Sequence, residues 1–160
     1  MTRTRIYASF DRENDSDLSE LLNAQSDRPG STFEVMKNQH SKTAHPGWDT
    51  DTRTQIRMAD GIIVICGEHT HESMLVSLEL AIAQEEERPY MLLWGRRDRM
   101  CMKPDGARKL DAMYSWTRAI LESQISATIR DSKPLVVPEN CKRLQPRAGF
   151  ESSTSCRQSS

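Results

Sequence analysis

A single carboxylate on an apolar helix face is the sharpest chemical feature of this sequence. Glu79 falls in the middle of a predicted helix over residues 72–87. Its neighbours one turn away on that helix are all apolar, namely Leu75, Val76, Ile82 and Ala83. A buried carboxylate costs free energy unless it is paired or hydrogen-bonded, and burial raises its pKa. Glu79 is therefore a candidate functional residue, and a purely structural ion pair, for instance with an arginine from residues 95–109, is the alternative.

The segment 67–71 (GEHTH) places two histidines between a predicted buried strand and the helix that carries Glu79. No third or fourth ligand stands at a convincing spacing, so the sequence does not predict a metal site. The simpler interpretation is that Thr70 or Ser73 caps the helix and that both histidines lie at the surface.

Acidic and amide side chains follow the first predicted strand, at Asp11, Asn14 and Asp15. The arrangement is similar to the magnesium pocket of response-regulator receivers, which use the same sheet topology. A receiver needs a phospho-accepting aspartate at the end of its third strand, where this chain has Cys66 and Gly67, so a phosphorelay is disfavoured. The chain also has no G-x-G-x-x-G, Walker or G-x-S-x-G motif, which argues against dinucleotide-binding Rossmann, P-loop and serine-hydrolase sites.

The elements that must position these residues alternate between strand and helix along the chain. Apolar runs predict strands over residues 4–10, 31–36, 61–66 and 89–94. Helical periodicity predicts helices over residues 15–24, 50–59, 72–87 and 110–129. We expect Ile56 and Met58 to anchor the second helix, and Met113 and Trp116 to begin the apolar stripe of the last.

This alternation predicts an α/β fold, a flavodoxin-like three-layer sandwich with a parallel sheet of four to five strands. In such a sheet, ligands bind beyond the carboxyl ends of the strands, next to the point where the strand order reverses. The loops after Phe10, Cys66 and Trp94 are therefore the places where a site is expected.

Length and charge limit the functions open to this chain. Its 160 residues suffice for one domain, and a formal net charge of −1 removes the electrostatic case for nucleic acid or a membrane surface as an obligatory partner. No apolar run approaches the roughly 18 residues of a membrane span, and no signal peptide is evident. The four cysteines lack the spacing of a metal site and are too few for a disulfide framework. A cytoplasmic protein is therefore expected. Residues 131–160 contain three prolines and a Ser/Arg-rich end, which predicts a disordered tail after a domain over residues 1–130.

Four segments resemble the TIR-like family of bacterial proteins, which includes the TIR-like subunits of Thoeris antiphage defence. They are residues 5–15 (RIYASFDREND), 59–71 (ADGIIVICGEHTH), 73–81 (SMLVSLELA) and 96–116 (RRDRMCMKPDGARKLDAMYSW). The most specific parts of the resemblance are the G-E-H-T-H loop and the C-x-K-P and Y-x-W motifs. It implies a flavodoxin-like fold, in agreement with the alternation of strands and helices.

The resemblance also implies a chemistry. Enzymatic TIR domains cleave NAD between nicotinamide and ribose, and defence members turn the ADP-ribose part into a cyclic nucleotide that activates a separate effector. Their essential glutamate follows a pattern similar to S-x-W-V-x-x-E, which reads here from Ser73 to Glu79. The resemblance thus implies Glu79 as the catalytic residue and NAD⁺ as the substrate rather than a bound cofactor. The residues that it implies for the nucleotide pocket are Ser9, Phe10, Asp11 and His71.

The sequence departs from that pattern where Leu75 and Leu78 stand in place of aromatic residues. Many TIR domains act only as scaffolds that assemble with themselves or with a partner protein, so a non-catalytic interaction module is the main alternative. A nucleoside deoxyribosyltransferase-like enzyme is the third, because that family pairs a similar sheet with a glutamate nucleophile.

Overall fold

Parallel strands and helices alternate through the part of the chain that the computed structural model describes, residues 3–37 and 45–132. The strands are β1 (Thr4–Ser9), β2 (Phe33–Val35), β3 (Gly61–Cys66), β4 (Tyr90–Trp94) and β5 (Met113–Ser115). The helices are α1 (Ser16–Ser26), α2 (Trp48–Met58), α3 (Met74–Glu85) and α4 (Arg118–Ser132), and a short 3₁₀ turn at Thr70–Glu72 precedes α3. The predicted α/β fold with a parallel sheet is confirmed.

The sheet has the strand order β2-β1-β3-β4-β5, and every neighbouring pair is parallel. The chain moves from β1 outward to β2 and then crosses to β3 on the other side of β1, so the strand order reverses between β1 and β3. Ser9, the last residue of β1, pairs with Val64 near the end of β3. A ligand site is therefore expected in the crevice at the carboxyl ends of these two strands.

Alternate residues of the central strands point to opposite faces of the sheet and build two apolar layers. On β1, Tyr7 packs in the layer that contains α2 and α3, whereas Ile6 and Ala8 pack in the layer that contains α1 and α4. Ser9 has the same parity as Tyr7 and therefore faces α3. Strand β3 is buried along its whole length, which explains its uninterrupted apolar sequence.

One of the two predicted helix caps is confirmed. The hydroxyl of Ser73 accepts a hydrogen bond from Val76 N at 3.4 Å, so Ser73 is the N-cap of α3. Thr70 has a different role, because its hydroxyl accepts from Gly67 N at 2.7 Å and fixes the loop after β3.

The predicted helix over residues 110–129 is wrong in its first half. Met113–Ser115 forms strand β5 instead and pairs with the end of β4, while Leu110 is 97% exposed. The helix begins only at Arg118, after Thr117, whose hydroxyl accepts from the backbone at 3.2 Å. Three residues are too few for the alternation of a strand to stand out, so the helical pattern of the following residues extended over them.

Helix α2 packs through Trp48, Thr52 and Ile56, which recur every four residues and are all buried. The predicted anchor Met58 is instead 52% exposed, because it falls outside that stripe. The prediction for Ile56 is confirmed and the prediction for Met58 is wrong.

The predicted tail lies outside the described residues from residue 133 onward, and residues 131 and 132 continue α4. The domain boundary at residue 130 stays a prediction. Within residues 3–37 and 45–132, no helix is both long and apolar enough to cross a lipid bilayer.

Candidate active site

Glu79 lies in the middle of α3 and is completely buried. Val76, Leu80 and Ala83 of the same helix are buried with it in the apolar layer between α3 and the sheet. The prediction that Glu79 lies within an apolar helix face is therefore confirmed.

Arg12 is the counter-ion that the buried carboxylate requires. Its Nη2 donates to Glu79 Oε1, and the two side chains are 6% and 0% exposed. Arg12 belongs to the loop after β1, so the ion pair joins that loop to α3 at the point where the strand order reverses. The expectation of an arginine from residues 95–109 is wrong, because Arg96 of that segment binds Asp15 and Asp17 instead.

The charge state of Glu79 is set by opposing effects. Burial raises the pKa of Glu79, while the charge of Arg12 and the nearby hydroxyls of Ser9 and Tyr7 lower it. The pKa of Tyr7 is raised by its own burial and by the negative charge of Glu79, so its hydroxyl stays neutral and able to donate. Glu79 is thus buried away from water, and one cation and two hydroxyls favour its charged form.

The second oxygen of this carboxylate, Oε2, is bonded less closely than Oε1. Glu79 Oε2 and Ser9 Oγ are both buried, and neither makes a hydrogen bond of ordinary length and angle with the described residues, although the hydroxyls of Ser9 and Tyr7 lie close enough to lower the pKa of Glu79. Buried polar atoms in native proteins are rarely left without a partner. A ligand hydroxyl placed beside Glu79 Oε2 would complete its hydrogen bonding.

A pocket of about 270 Å³ opens at the carboxyl ends of β1 and β3, next to the ion pair. Its walls come from the loop after β1 and from the turn that leads into α3. The lining residues are Asp11, Arg12, Glu13, Asn14, His69, Glu72, Ser73, Met74 and Leu75. Glu79 does not belong to this lining, so Arg12, which touches both, lies between the pocket and the carboxylate.

Of the predicted nucleotide-pocket residues, Asp11 lines this pocket directly. Its carboxylate accepts from Glu13 N at 3.1 Å and from Asn14 Nδ2 at 2.7 Å, which shapes the loop after β1. Phe10 is buried in the layer on the opposite face, and the guanidinium carbon of Arg12 lies 5.3 Å from its ring centroid. Phe10 therefore supports the position of Arg12 from behind.

His71, the remaining predicted pocket residue, lies in the 3₁₀ turn before α3 with 37% of its side chain exposed. Its Nε2 is 3.6 Å from Glu72 Oε1. The histidine that lines the pocket is His69, two residues earlier. The sequence could not distinguish the two, because their directions depend on how the turn is folded.

Arg12 and Tyr7 belong to the site although no sequence motif marks them. Both lie in the segment 5–15 that carries the resemblance, which implies roles there only for Ser9, Phe10 and Asp11. A physical signal was present, since a carboxylate predicted to be buried needs a cation. Arg12 is the one basic residue between β1 and α1.

Arg96 anchors the loop that carries Arg12 from the direction of β4. Its guanidinium donates to Asp17 Oδ1 at 2.8 Å and to Asp15 Oδ1 at 3.1 Å. It also donates to the carbonyl oxygen of Asn14 at 2.9 Å. Burial raises the pKa of Asp15, and the charge of Arg96 acts in the opposite direction. The end of the loop after β1 is therefore fixed by an ion pair between the buried Asp15 and the partly exposed Arg96.

A second pocket, of about 380 Å³, opens at the ends of β4 and β5 on the side of α1. Trp94, Trp116 and Arg97 line part of it. Its described lining contains no carboxylate, so the pocket beside Glu79 is the better candidate for the chemistry.

Comparisons with known proteins identify the fold. No protein-family model matches the sequence, and no curated protein matches it. Solved structures do match. One, described as the crystal structure of a prokaryotic SEFIR domain, aligns with a TM-score of 0.51 and 16% identity, over 84% of this chain and 97% of that chain. The chain has a TIR-like fold.

The TIR-like fold confirms the coarser part of what the resemblance implied, since a SEFIR domain is of this kind. At 16% identity this similarity shows the fold but not the activity. Any activity of this chain therefore depends on Glu79, Arg12 and the pocket beside them.

Proposed function

We propose that this protein is a TIR-like NAD⁺ glycohydrolase or cyclase, which makes an ADP-ribose-derived nucleotide signal in antiviral defence of the Thoeris type. The observation that carries the proposal is the fully buried carboxylate of Glu79, paired with Arg12 beside the pocket where the strand order reverses. The match of Ser73 and Glu79 to the TIR pattern supports it, as does the TIR-like fold.

A lone carboxylate suits the cleavage step. The nicotinamide of NAD⁺ is a cationic pyridinium, so when its bond to ribose C1′ breaks, the ring nitrogen keeps the electron pair and a neutral molecule leaves without a proton. The ribose becomes an oxocarbenium-like cation, which a nearby anion stabilises electrostatically. Glu79 is that anion in this proposal, and its Oε2 accepts a ribose hydroxyl.

The second step decides the product. Water that attacks C1′ gives ADP-ribose, whereas a hydroxyl of the ADP-ribose part itself closes a cyclic nucleotide. Either nucleophile releases one proton, which balances the reaction. NAD⁺ enters as the substrate, this chemistry requires no separate cofactor, and the product would act on a separate nucleotide-sensing effector.

Nicotinamide release tests the proposal directly. The full chain is incubated with NAD⁺, with and without extract from phage-infected cells as a trigger, and nicotinamide and nucleotides are measured by mass spectrometry. We expect release by the wild type and its loss in Glu79→Gln, which keeps the shape of the side chain and removes the charge. Glu85→Gln is the matched control, because Glu85 is exposed on the same helix. Equal release by wild type and Glu79→Gln would overturn the catalytic assignment.

A non-catalytic interaction module is the second candidate, and exposed apolar residues favour it. Met58 on α2 and Leu78 on α3 are 52% and 39% exposed. In this function the Arg12–Glu79 pair is structural, and the chain assembles with itself or with a partner protein. It predicts that Met58→Ser and Leu78→Ser reduce association in analytical ultracentrifugation, while no trigger yields a nucleotide product.

A further inference from the structure

The pocket beside Glu79 is acidic, and this is a difficulty for a dinucleotide. Asp11, Glu13 and Glu72 all line it. The diphosphate of NAD⁺ carries two negative charges, which three carboxylates repel. Among the described residues of the lining, Arg12 is the one arginine or lysine, so the diphosphate has a single cation to bind.

That cation is already engaged. Arg12 Nη2 donates to Glu79 Oε1, and its Nη1 lies 3.4 Å from the carbonyl oxygen of Phe10. Arg12 lines the pocket and contacts Glu79, which has no exposed surface and does not line the pocket itself. The residue needed for the diphosphate and the residue that covers the catalytic carboxylate are therefore the same.

We propose that Arg12 exchanges the carboxylate of Glu79 for the diphosphate of the dinucleotide, and that this exchange uncovers Glu79 for the ribose. The inference rests on the proposed function and deepens it, because it assigns the specificity for a diphosphate-containing substrate to Arg12. A guanidinium presents the same planar pair of donors to a carboxylate and to a phosphate, so one side chain serves both positions.

Glu79 faces a cation in both states. Without substrate, the positive charge of Arg12 neutralises Glu79. With substrate, Arg12 faces the diphosphate, and the cationic pyridinium and ribose take its place beside Glu79. Once nicotinamide has left and C1′ has been captured, that cation is gone, and the attraction of Glu79 for Arg12 returns. The return of Arg12 favours release of the product.

A comparison of two substrates tests the exchange without depending on how much protein is folded. NAD⁺ and nicotinamide riboside share the bond that is cleaved and differ in the ADP part, so the ratio of their kcat/KM values measures the contribution of that part, and a change of the ratio in an Arg12 variant measures the share that depends on Arg12. We expect this ratio to fall about tenfold or more in Arg12→Gln, as for the loss of a charge-assisted hydrogen bond. It stays unchanged in Arg99→Gln, whose side chain is exposed and pairs with Glu68. An unchanged ratio in Arg12→Gln would overturn the proposal.

Titration of ADP-ribose by calorimetry supplies a readout that needs no turnover. In Glu79→Gln the rival anion of Arg12 is removed, so we expect ADP-ribose to bind about tenfold tighter or better than to the wild type. Glu85→Gln should bind like the wild type, and Arg12→Gln should lose binding. The double variant Arg12→Gln, Glu79→Gln carries no unpaired buried charge and should bind as weakly as Arg12→Gln.

A merely structural ion pair gives a different result, namely no gain of affinity in Glu79→Gln and no loss in the double variant, and that result would overturn the exchange. Thermal unfolding of each variant confirms that it is folded. Failure of the proposed function appears separately, as the absence of nicotinamide release from the wild type or as its persistence in Glu79→Gln.

Discussion

Gly67 leaves the space that the carboxylate of Asp15 occupies. A Cβ atom on Gly67 would lie 2.7 Å from Asp15 Cγ and closer still to both carboxylate oxygens. Asp15 is 1% exposed and is held by Arg96, so its carboxylate cannot withdraw without breaking this ion pair. The loops after β1 and β3 therefore pack on each other through a glycine and an aspartate, next to the candidate site.

Replacing Gly67 with alanine should destabilise the protein by about 1–3 kcal/mol, the usual cost of inserting a methyl group into filled space. Urea unfolding of the variant measures this loss. Gly61→Ala is the matched control, because a Cβ atom there meets its nearest neighbours at 3.6–3.7 Å, which is ordinary van der Waals contact. A loss at Gly67 no larger than the loss at Gly61 would contradict the steric account.

Two leucines test whether the last helix begins after β5 rather than at residue 110. Leu121 on α4 is 1% exposed, whereas Leu110 before β5 is 97% exposed. We expect Leu121→Ala to cost about 2–5 kcal/mol of unfolding free energy and Leu110→Ala less than about 0.5 kcal/mol. Chemical denaturation of both variants checks the contrast. Similar losses at the two positions would instead favour one continuous amphipathic helix over residues 110–129.

The sequence was sufficient for elements in which one pattern dominates. Strand β3 has six buried residues in a row, and its predicted bounds agree with the structure. The second half of the last predicted helix was also right, since Leu121 and Ile125 recur at helical spacing and are buried. Strand β5 was missed because three residues form it only by pairing with β4, and such a pairing is not written in the local sequence.

Only one residue of the site, Glu79, could be predicted from the helical pattern of the sequence. Glu79 stands out because a charge on an apolar helix face has few physical explanations. The sequence shows that this carboxylate needs a cation but does not identify which one, because the alternation of strands and helices does not say which strand lies next to β3. Only the order β2-β1-β3 places the loop with Arg12 against α3 and leaves Arg96 to bind Asp15.

The raised pKa of Glu79 predicts a pH dependence of stability. Its value in the folded protein lies above the usual 4.5, so the folded chain holds a proton that the unfolded chain releases as the pH rises through 4.5. The free energy of unfolding therefore decreases with rising pH until the folded pKa is passed. Glu79→Gln removes this titration. We expect the stability of the wild type, relative to Glu79→Gln, to fall between pH 4 and neutrality in urea unfolding experiments.

The control for this measurement is Glu85→Gln, since Glu85 is exposed on the same helix. The difference in stability between Glu85→Gln and the wild type should not show the decline expected for Glu79. A wild-type stability that rises with pH relative to Glu79→Gln would mean that Arg12 outweighs burial and lowers the pKa of Glu79 below its usual value.

Ser9 offers a way to move the pKa of Glu79 without touching its charge. The hydroxyl of Ser9 lowers that pKa, so Ser9→Ala should raise it further. If cleavage of NAD⁺ needs ionised Glu79, the acidic limb of the kcat/KM profile for nicotinamide release shifts to higher pH in Ser9→Ala. The rate on the alkaline plateau changes little, because Glu79 is ionised there in both proteins. Ser19→Ala, a buried serine on α1, should leave the limb in place. A lower plateau without a shift would show that Ser9 acts on binding and not on the ionisation of Glu79.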